Sequence, residues 1–445
     1  MRKGKIDLIT MGCAKNLVDS ERLMAMLEER GWRCCHDGKR VDGEVAVVNT
    51  CGFIEAAKQE SIDMILRLAE LKREGKIGRL IVMGCLSERY MGELREELPE
   101  VDRFYGKFDF RQLASDLGEA SAGVTVAAGG RKVVTPRHYA YLKVSEGCDR
   151  GCTYCAIPQI TGRQKSRTME DIVEEARALA RGGARELIVI AQDLTAYGTD
   201  LYGERRIAPL VERIADVEGV RWIRLHYGYP KDFPWELTRV MRERPNVCKY
   251  IDVALQHVAD GVLHRMGRGM GREETYDFVR RLREEVPGIC LRTTLMVGFP
   301  GETVDDFGQL MEFAGWARFE RMGAFAYSEE DGTYAANHYE DDVTPEEKGR
   351  RMDMLMEQQE EMAEAQGAQM VGRRTMVVID RKEGEYYIGR TEQSSPEVDP
   401  EVIVDAGAMR LRRGSFYEVE ITATAGVDLY AKVCANGGSR HGEVQ

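Results

Sequence analysis

Short apolar runs alternate with longer amphipathic stretches along most of the chain. Near the start, three apolar runs each end beside a cysteine, and helix-like stretches over residues 19–30 and 54–73 separate them. Alternation of strands and helices at this spacing predicts a small α/β domain with a parallel sheet. We expect Asp19-Ser20-Glu21 to cap the first helix. The predicted strands span residues 5–11, 44–49 and 79–83.

The alternation resumes after a boundary stretch at residues 120–135. Helix-like segments at 169–181, 207–217, 272–286 and 304–317 separate six further apolar runs. Six successive strand–helix units predict a partial (βα)6 barrel, similar to a TIM barrel, with its chemistry at the carboxyl ends of the strands. The predicted strands span residues 139–144, 186–191, 222–226, 250–255, 291–297 and 322–326.

A charged helix predicted at residues 345–369 leads to a β-rich segment with turns between short strands. This pattern predicts a small antiparallel β-barrel of the kind that binds nucleic acid or protein. Its strands are predicted at 375–379, 386–390, 402–404, 416–422 and 429–433. The chain as a whole is therefore predicted to be α/β and multidomain, with domains at 1–120, 134–370 and 371–436 and a disordered tail at 437–445.

Composition is that of a globular protein, with 43% hydrophobic and 31% charged residues in 445. No apolar run approaches the roughly 18 residues of a membrane span, and Asp7 and Lys15 interrupt the apolar start, so we expect neither membrane segment nor signal peptide. These features predict a cytoplasmic protein, in which the eleven cysteines are ligands or core residues rather than disulfides. The net charge of −12 favours a basic partner.

Two sets of three cysteines indicate metal chemistry. Cys148, Cys152 and Cys155 follow the strand at 139–144 with the spacing C-x3-C-x2-C, which can hold one iron–sulfur cluster and leave its fourth iron open. A structural zinc site wants a second close pair of ligands, which this region lacks, but zinc stays an alternative. The other set follows the carboxyl ends of the three first strands, where α/β sheets bind ligands, and predicts a shared metal site at Cys13, Cys51 and Cys85.

Three cysteines on a loop after the first barrel strand resemble the radical S-adenosylmethionine enzymes. That resemblance implies a 4Fe-4S cluster whose open iron binds S-adenosylmethionine and whose electron cleaves it to a 5'-deoxyadenosyl radical. It places Tyr154 against the adenine. The segment Gln192-Asp193 and the turn at 297–302, which contains Gly298, match further cofactor-contacting stretches of the family.

With the first cysteine set included, the chain is identified as a member of the methylthiotransferases, and the resemblance covers nearly all of it. In that family, the set corresponding to Cys13, Cys51 and Cys85 holds a second 4Fe-4S cluster that delivers sulfur, and the last domain is a substrate-binding TRAM domain. Two open clusters facing one another agree with catalysis by proximity. One S-adenosylmethionine would supply the methyl group, and a second would supply the radical that removes hydrogen from the substrate.

Several stretches resemble the branch of the family that modifies the β-carbon of an aspartate in the twelfth protein of the small ribosomal subunit. They span residues 11–21, 141–148, 192–198 and 225–227. Residues 372–435 carry nine Lys and Arg against eleven Asp and Glu, which suits a basic protein substrate better than tRNA, since phosphate contacts dominate nucleic-acid affinity. A tRNA adenosine methylthiotransferase and, more distantly, a non-catalytic zinc-binding ribosome-assembly factor remain alternatives, and the electron donor protein is unidentified.

Overall fold

The computed structural model describes residues 1–118 and 130–434. Three units follow one another in this part of the chain: an N-terminal sheet domain, a central domain built on six parallel strands, and a C-terminal barrel. The tail predicted at 437–445 and most of the boundary stretch at 120–135 lie outside the described residues.

The N-terminal sheet domain is a five-stranded parallel sheet in the order β2-β1-β3-β4-β5. Alternate residues of its strands point to opposite faces; Val45 and Val47 pack in one apolar cluster, and Ala46 and Val48 pack in another. Both faces are therefore covered, as parallel sheets require. The strands are β1 Arg2–Thr10, β2 Arg33–His36, β3 Gly43–Thr50, β4 Arg79–Gly84 and β5 Arg103–Phe104, and the helices are α1 Ala14–Glu28, α2 Glu55–Arg73, α3 Cys85–Glu97 and α4 Phe110–Asp116.

Two predictions for this domain are wrong. The sheet has five strands rather than three, because β2 and β5 are short edge strands of four and two residues, too short to show a period in the sequence. Helix α1 begins at Ala14 with Cys13 as its N-cap, so Asp19 does not cap it. Asp19 lies inside the helix and is only 4% exposed, which leaves its carboxylate available for buried partners.

The central domain contains six parallel strands in the order β13-β12-β11-β10-β9-β6. Among the described residues its edges, β6 and β13, do not pair, so the sheet is open, in agreement with the predicted partial barrel. The strands are β6 Tyr139–Lys143, β7 Ser145–Glu146, β8 Lys165–Ser166, β9 Glu186–Ile190, β10 Trp222–Gly228, β11 Val247–Val253, β12 Cys290–Val297 and β13 Arg321–Ala326, of which β7 and β8 form a separate antiparallel pair.

Helices cover one face of this sheet and bury the largest apolar cluster of the protein, which includes Leu142, Val189, Leu225 and Ile251. Helix α6 is entered through the Thr168 side chain, which accepts a hydrogen bond from the Asp171 N–H. The helices are α5 Ile157–Thr161, α6 Met169–Arg181, α7 Thr199–Tyr202, α8 Ile207–Ala215, α9 Glu236–Glu243, α10 Asp260–Arg265, α11 Arg272–Glu285, α12 Val304–Ala317, α13 Tyr334–His338 and α14 Pro345–Ala368.

The C-terminal barrel is closed, in the order β14-β15-β16-β18-β17. Its pairs are antiparallel, as predicted, with the one exception of β16 and β18 among the described residues, which run parallel. Val377, Val404 and Val419 are fully buried in its core. The strands are β14 Arg374–Glu383, β15 Tyr386–Arg390, β16 Val402–Asp405, β17 Phe416–Ala425 and β18 Asp428–Val433.

The C-terminal barrel docks on the face of the central sheet that the helices leave open. Oxygens of the Glu186 carboxylate lie 2.8 Å from Arg224 and 2.8 Å from Arg390, and none of these three residues is more than 2% exposed. Beyond β15, the Ser395 hydroxyl lies 2.9 Å from the His226 ring. Buried ion pairs need such close partners because the charges have lost their water, so this contact fixes the barrel against the sheet.

Candidate active site

The structure brings the first cysteine set together at one edge of the N-terminal sheet. Cys51 and Cys85 directly follow β3 and β4, and Cys13 lies three residues after the end of β1; the three strands are neighbours in the sheet. The Cys85 thiol bonds to Asn16 of the helix that begins directly after Cys13, and Gly12 lies against Cys51, which places the three thiols near one another. Gly12 allows this approach: its φ is +87°, and a Cβ there would lie 2.9 Å from the Cys51 Sγ. Only glycine adopts this backbone without strain.

Asn16 ties the three cysteine loops to one another. Its side-chain amide donates to the carbonyls of Met11 at 3.1 Å and Thr50 at 3.0 Å, which precede the loops of Cys13 and Cys51. Its Oδ1 accepts a bond from the Cys85 thiol at 3.5 Å, within the range for sulfur. Asn16 is 1% exposed, so these bonds satisfy a polar group that would otherwise be costly to bury.

The thiols of this set differ in their acidity. Burial raises the pKa of Cys51, and it raises the pKa of Cys85 to about 12. Loss of solvation also acts to raise the pKa of Cys13, but the charge of Lys15 and the Asn16 N–H outweigh it, so this pKa lies below its ordinary value. Thiolates are the form that binds metal, and the nearby positive charge favours that form at Cys13.

The second cysteine set lies on the loop between β7 and α5. The Cys155 N–H donates to the Cys152 carbonyl at 3.1 Å and closes a turn, and the Cys148 N–H donates to the Gly162 carbonyl at 3.2 Å. Burial, followed by the charge of Cys152, raises the pKa of Cys155 to about 12. The three side chains of this set therefore also share one neighbourhood.

Two arginines and a tyrosine surround the second set. Arg268 donates to the Cys152 Sγ at 3.4 Å and to the Tyr154 hydroxyl at 3.3 Å, and the Tyr229 hydroxyl lies 3.7 Å from the same Sγ. Arg150 and Arg268 each place their guanidinium 4.1 Å from the Tyr229 ring centroid. These positive charges lie where negative thiolates need compensation.

Sequence reasoning missed Arg150, Arg268 and Tyr229. Arg268 lies between two glycines, which indicates a tight turn but not its target, since 116 residues separate it from Cys152. Arg150 lies inside the cysteine motif, and its position alone could have marked it as a cation close to the thiolates.

The four residues predicted to contact S-adenosylmethionine lie around the second cysteine loop with different local partners. Tyr154 packs edge-on against Phe299 at 6.3 Å between ring centroids, and the Gln192 amide donates to Glu146 at 2.9 Å. Asp193 accepts from Arg150 at 2.7 Å and caps residues 194–196. Gly298 has φ +69° and donates its N–H to the Glu302 carboxylate.

A buried polar chain crosses from the N-terminal sheet domain to the central domain. The Asp19 carboxylate lies 2.8 Å from the Lys107 ammonium and also pairs with Lys143 at the end of β6, which in turn pairs with Glu146. Burial acts to raise the pKa of Asp19, but the charges of Lys107 and Lys143 outweigh it and bring that pKa to about 2. Asp19 lies three residues after Asn16, which bonds to the Cys85 thiol, and Glu146 lies two residues before Cys148, so these ion pairs connect the neighbourhoods of the two cysteine sets.

A second contact joins the same two domains at Glu330, which follows β13. Lys58 of α2 and Arg89 of α3 place their charged nitrogens 3.1 and 3.0 Å from the Glu330 carboxylate. Arg89 also donates to the Asp331 carbonyl at 2.6 Å. Together with the Asp19 chain, this contact holds the ends of β1, β3 and β4 against the central domain.

Within residues 1–118 and 130–434, no three His, Cys, Asp or Glu side chains converge on a point that could hold a single metal ion. A four-iron cluster asks for a different arrangement, since its thiolates bind separate irons. Two sets of three thiols fit that requirement, one at the ends of three parallel strands and the other on the loop between β7 and α5, each beside basic side chains.

Family models match three parts of the chain: "Uncharacterized protein family UPF0004" over residues 5–106, "Radical SAM superfamily" over 142–314 and "TRAM domain" over 371–434. Membership of the radical S-adenosylmethionine superfamily implies a 4Fe-4S cluster and S-adenosylmethionine. In the part of the chain that the structure describes, no helix is long and apolar enough to cross a bilayer.

Among solved structures, the chain is similar to the radical S-adenosylmethionine methyltransferase TsrM from Kitasatospora setae. The TM-score is 0.53 at 15% identity, over 75% of this chain and 77% of that one. At this identity the similarity concerns the fold alone.

Closer relatives extend along nearly the whole chain. It is 56% identical over 433 residues to a ribosomal protein uS12 methylthiotransferase RimO from Phocaeicola vulgatus, covering 97% of this chain and 100% of the relative. It is 54% identical over 434 residues to the protein of that name from Porphyromonas gingivalis, with the same coverage. Since this similarity extends over 97% of the chain at more than half identical residues, the chain belongs to the RimO family of radical S-adenosylmethionine methylthiotransferases.

Proposed function

We propose that this protein transfers a methylthio group to the β-carbon of an aspartate in ribosomal protein uS12. The observation that carries the proposal is the pairing of two cysteine sets at strand ends across one interface, with the Asp19, Lys107 and Lys143 chain between them. The substrate follows from the relatives, whose name specifies uS12. In the net reaction, one C–H bond of the aspartate is replaced by a C–S bond.

Each cysteine set would hold one 4Fe-4S cluster: Cys148, Cys152 and Cys155 the radical-generating cluster, and Cys13, Cys51 and Cys85 the auxiliary cluster. When bound, the clusters and S-adenosylmethionine supply an electron, a 5'-deoxyadenosyl radical that takes the hydrogen atom, sulfur and a methyl group. The protein's own side chains hold the cysteine ligands in position. Asn16 fixes the loops of the first set, and Arg268 and Tyr229 support Cys152 in the second.

We assign Tyr154, Gln192, Asp193 and Gly298 to the S-adenosylmethionine site. Gln192 has the strongest support, because its Oε1 is buried without a hydrogen-bond partner among the described residues. A buried acceptor of this kind needs a donor, and a bound ligand with amino or hydroxyl groups would provide one. Asp193 acts through Arg150, which it holds beside Tyr229, so its role would be to position the cysteine loop.

The partners follow from the same reaction. The substrate would be a basic ribosomal protein met in the cytoplasm, and the net charge of −12 assists that encounter. A separate protein would donate electrons to the clusters. The near-balanced charge of the C-terminal barrel, −2 over residues 372–435, favours a protein over tRNA as its ligand.

The test is anaerobic purification with reconstitution, iron and sulfide analysis, and incubation with S-adenosylmethionine, a reductant and purified uS12. Two clusters correspond to roughly eight irons per chain, and mass spectrometry should find a methylthio group on one aspartate of uS12. Methylthiolation of tRNA in place of uS12 would establish the tRNA alternative. About four irons per chain would show that the auxiliary cluster is absent, and bound zinc without iron would refute the whole mechanism.

A further inference from the structure

Lys15 reaches from the N-terminal sheet domain to the central domain beside the first cysteine set. It lies in the first turn of α1, two residues after Cys13, and its ammonium is 3.1 Å from the centroid of the Tyr227 ring at the end of β10. Lys15 therefore stands between the first cysteine set and the strand ends of the central domain.

Tyr227 holds an unusual backbone conformation at this point. Its φ is +65°, a left-handed conformation that is rare for an aromatic residue and costs on the order of 1–3 kcal/mol. Such strain persists where the surroundings impose it, and it clusters at functional sites. Here it directs the ring toward the Lys15 ammonium.

Lys15 differs from Lys107 and Lys143 in its charged partners. Lys107 and Lys143 both pair with Asp19, whereas no carboxylate oxygen in the described part of the chain lies within 4.0 Å of the Lys15 ammonium. The side chain is only half-buried, and an aromatic face satisfies one side of an ammonium.

An aspartate side chain fits this position chemically. Its carboxylate is one bond from the β-carbon, so an ammonium that binds the carboxylate holds the reacting carbon close to itself. Because Lys15 is two residues from Cys13, that carbon would lie beside the proposed sulfur donor. Fixing the reacting atom in this way is the main means by which an enzyme converts proximity into rate.

We propose that Lys15, braced by the Tyr227 ring, binds the carboxylate of the substrate aspartate and selects aspartate over uncharged side chains. This inference rests on the proposed function. It adds the residue that recognises the substrate and explains why the interface keeps one cation without an internal counter-charge among the described residues.

The test is a binding cycle on the reconstituted holoenzyme. Affinity is measured by fluorescence anisotropy for labelled uS12 and for uS12 whose modified aspartate, located by mass spectrometry with the wild type, is changed to asparagine. Lys15→Met keeps the stem on the Tyr227 ring and removes the charge, and Lys15→Arg keeps the charge. Lys3→Met removes a charge from the opposite end of β1, where Lys3 is exposed, and serves as the matched control.

We expect wild-type protein, Lys15→Arg and Lys3→Met to prefer the aspartate form about tenfold, as for a partly desolvated ion pair. Lys15→Met should lose that preference and bind the asparagine form as the wild type does. Both forms are measured on one preparation, so the ratio holds even if a variant carries less iron. A preference retained in Lys15→Met overturns the assignment of Lys15 alone, while the absence of any modified aspartate overturns the proposed function together with it.

Discussion

Replacing Asp19 with asparagine should loosen the contact between the N-terminal sheet domain and the central domain. The substitution would keep the size of the side chain but not its charge, and would leave the Lys107 and Lys143 ammonium groups, 3% and 1% exposed, without the carboxylate they share. Lys143 would retain Glu146. Lys107 would have no carboxylate within 4.0 Å in the described part of the chain.

The loss of stability in Asp19→Asn follows from the pKa shift of Asp19 and from the cost of breaking a buried ion pair. A fall of the Asp19 pKa from 3.8 to about 2 corresponds to about 2.5 kcal/mol. Since this pKa is lowered, the stabilisation is present above about pH 4 and is lost as the pH falls toward 2. Removing one partner of a buried ion pair costs about 3–5 kcal/mol, which is larger because hydrogen bonds are lost with the charge. We expect about 3 kcal/mol at neutral pH.

Hydrogen–deuterium exchange of the amides in α1 and β6 measures this change. A loss of 3 kcal/mol corresponds to about a hundredfold increase in the opening equilibrium, since 1.4 kcal/mol is tenfold. Asp116→Asn is the matched control, because Asp116 pairs with Arg103 in the same domain with 61% of the Arg103 side chain exposed, and exposed pairs are worth less than about 1 kcal/mol. Equal exchange in the two variants would refute the structural role of the Asp19 chain.

Three further variants test the site and its support. Changing the first cysteine set to alanine should remove about half of the iron and stop sulfur transfer, while 5'-deoxyadenosine remains detectable. The control variant Cys35→Ser, outside both sets, should keep all of the iron. Equal iron contents in the two variants would contradict the ligand assignment. Asn16→Ala should cost about 2–3 kcal/mol through unsatisfied buried groups and speed iron loss to a chelator, and unchanged iron release would show that Asn16 does not hold the loops. Gly298→Ala should lower the Tm more than Gly288→Ala. Both glycines have a positive φ, but only a Cβ at position 298 would overlap Lys348. Equal Tm values would mean that backbone strain alone, without the overlap, sets the loss of stability.

Local patterns in the sequence were sufficient to predict where the cysteines lie. The apolar runs before Cys13, Cys51 and Cys85 form β1, β3 and β4, which are neighbours in the parallel sheet, so their carboxyl ends lie at one edge. The prediction needed no knowledge of distant contacts. It failed for β2 and β5, where edge strands of four and two residues carry too few positions to show alternation.

The contacts between domains could not be predicted in this way, because their partners are far apart in the chain. Asp19 meets Lys107 and Lys143 at separations of 88 and 124 residues, and the sequence placed it instead at the start of a helix, where aspartate is common. Only the packed structure shows that the Asp19 carboxylate pairs with two buried lysines rather than capping backbone N–H groups at the start of a helix.

The role proposed for Lys15 could not be predicted from the sequence either. Nothing in the sequence distinguishes Lys15 from Lys107 and Lys143, since each lies near a short apolar run and close to a cysteine or a strand end. The fold pairs Lys107 and Lys143 with Asp19, gives Lys143 a second partner in Glu146, and places Lys15 against the Tyr227 ring. The fold leaves the Lys15 charge without a carboxylate partner among the described residues, and the aspartate side chain of an otherwise basic substrate protein would supply that partner.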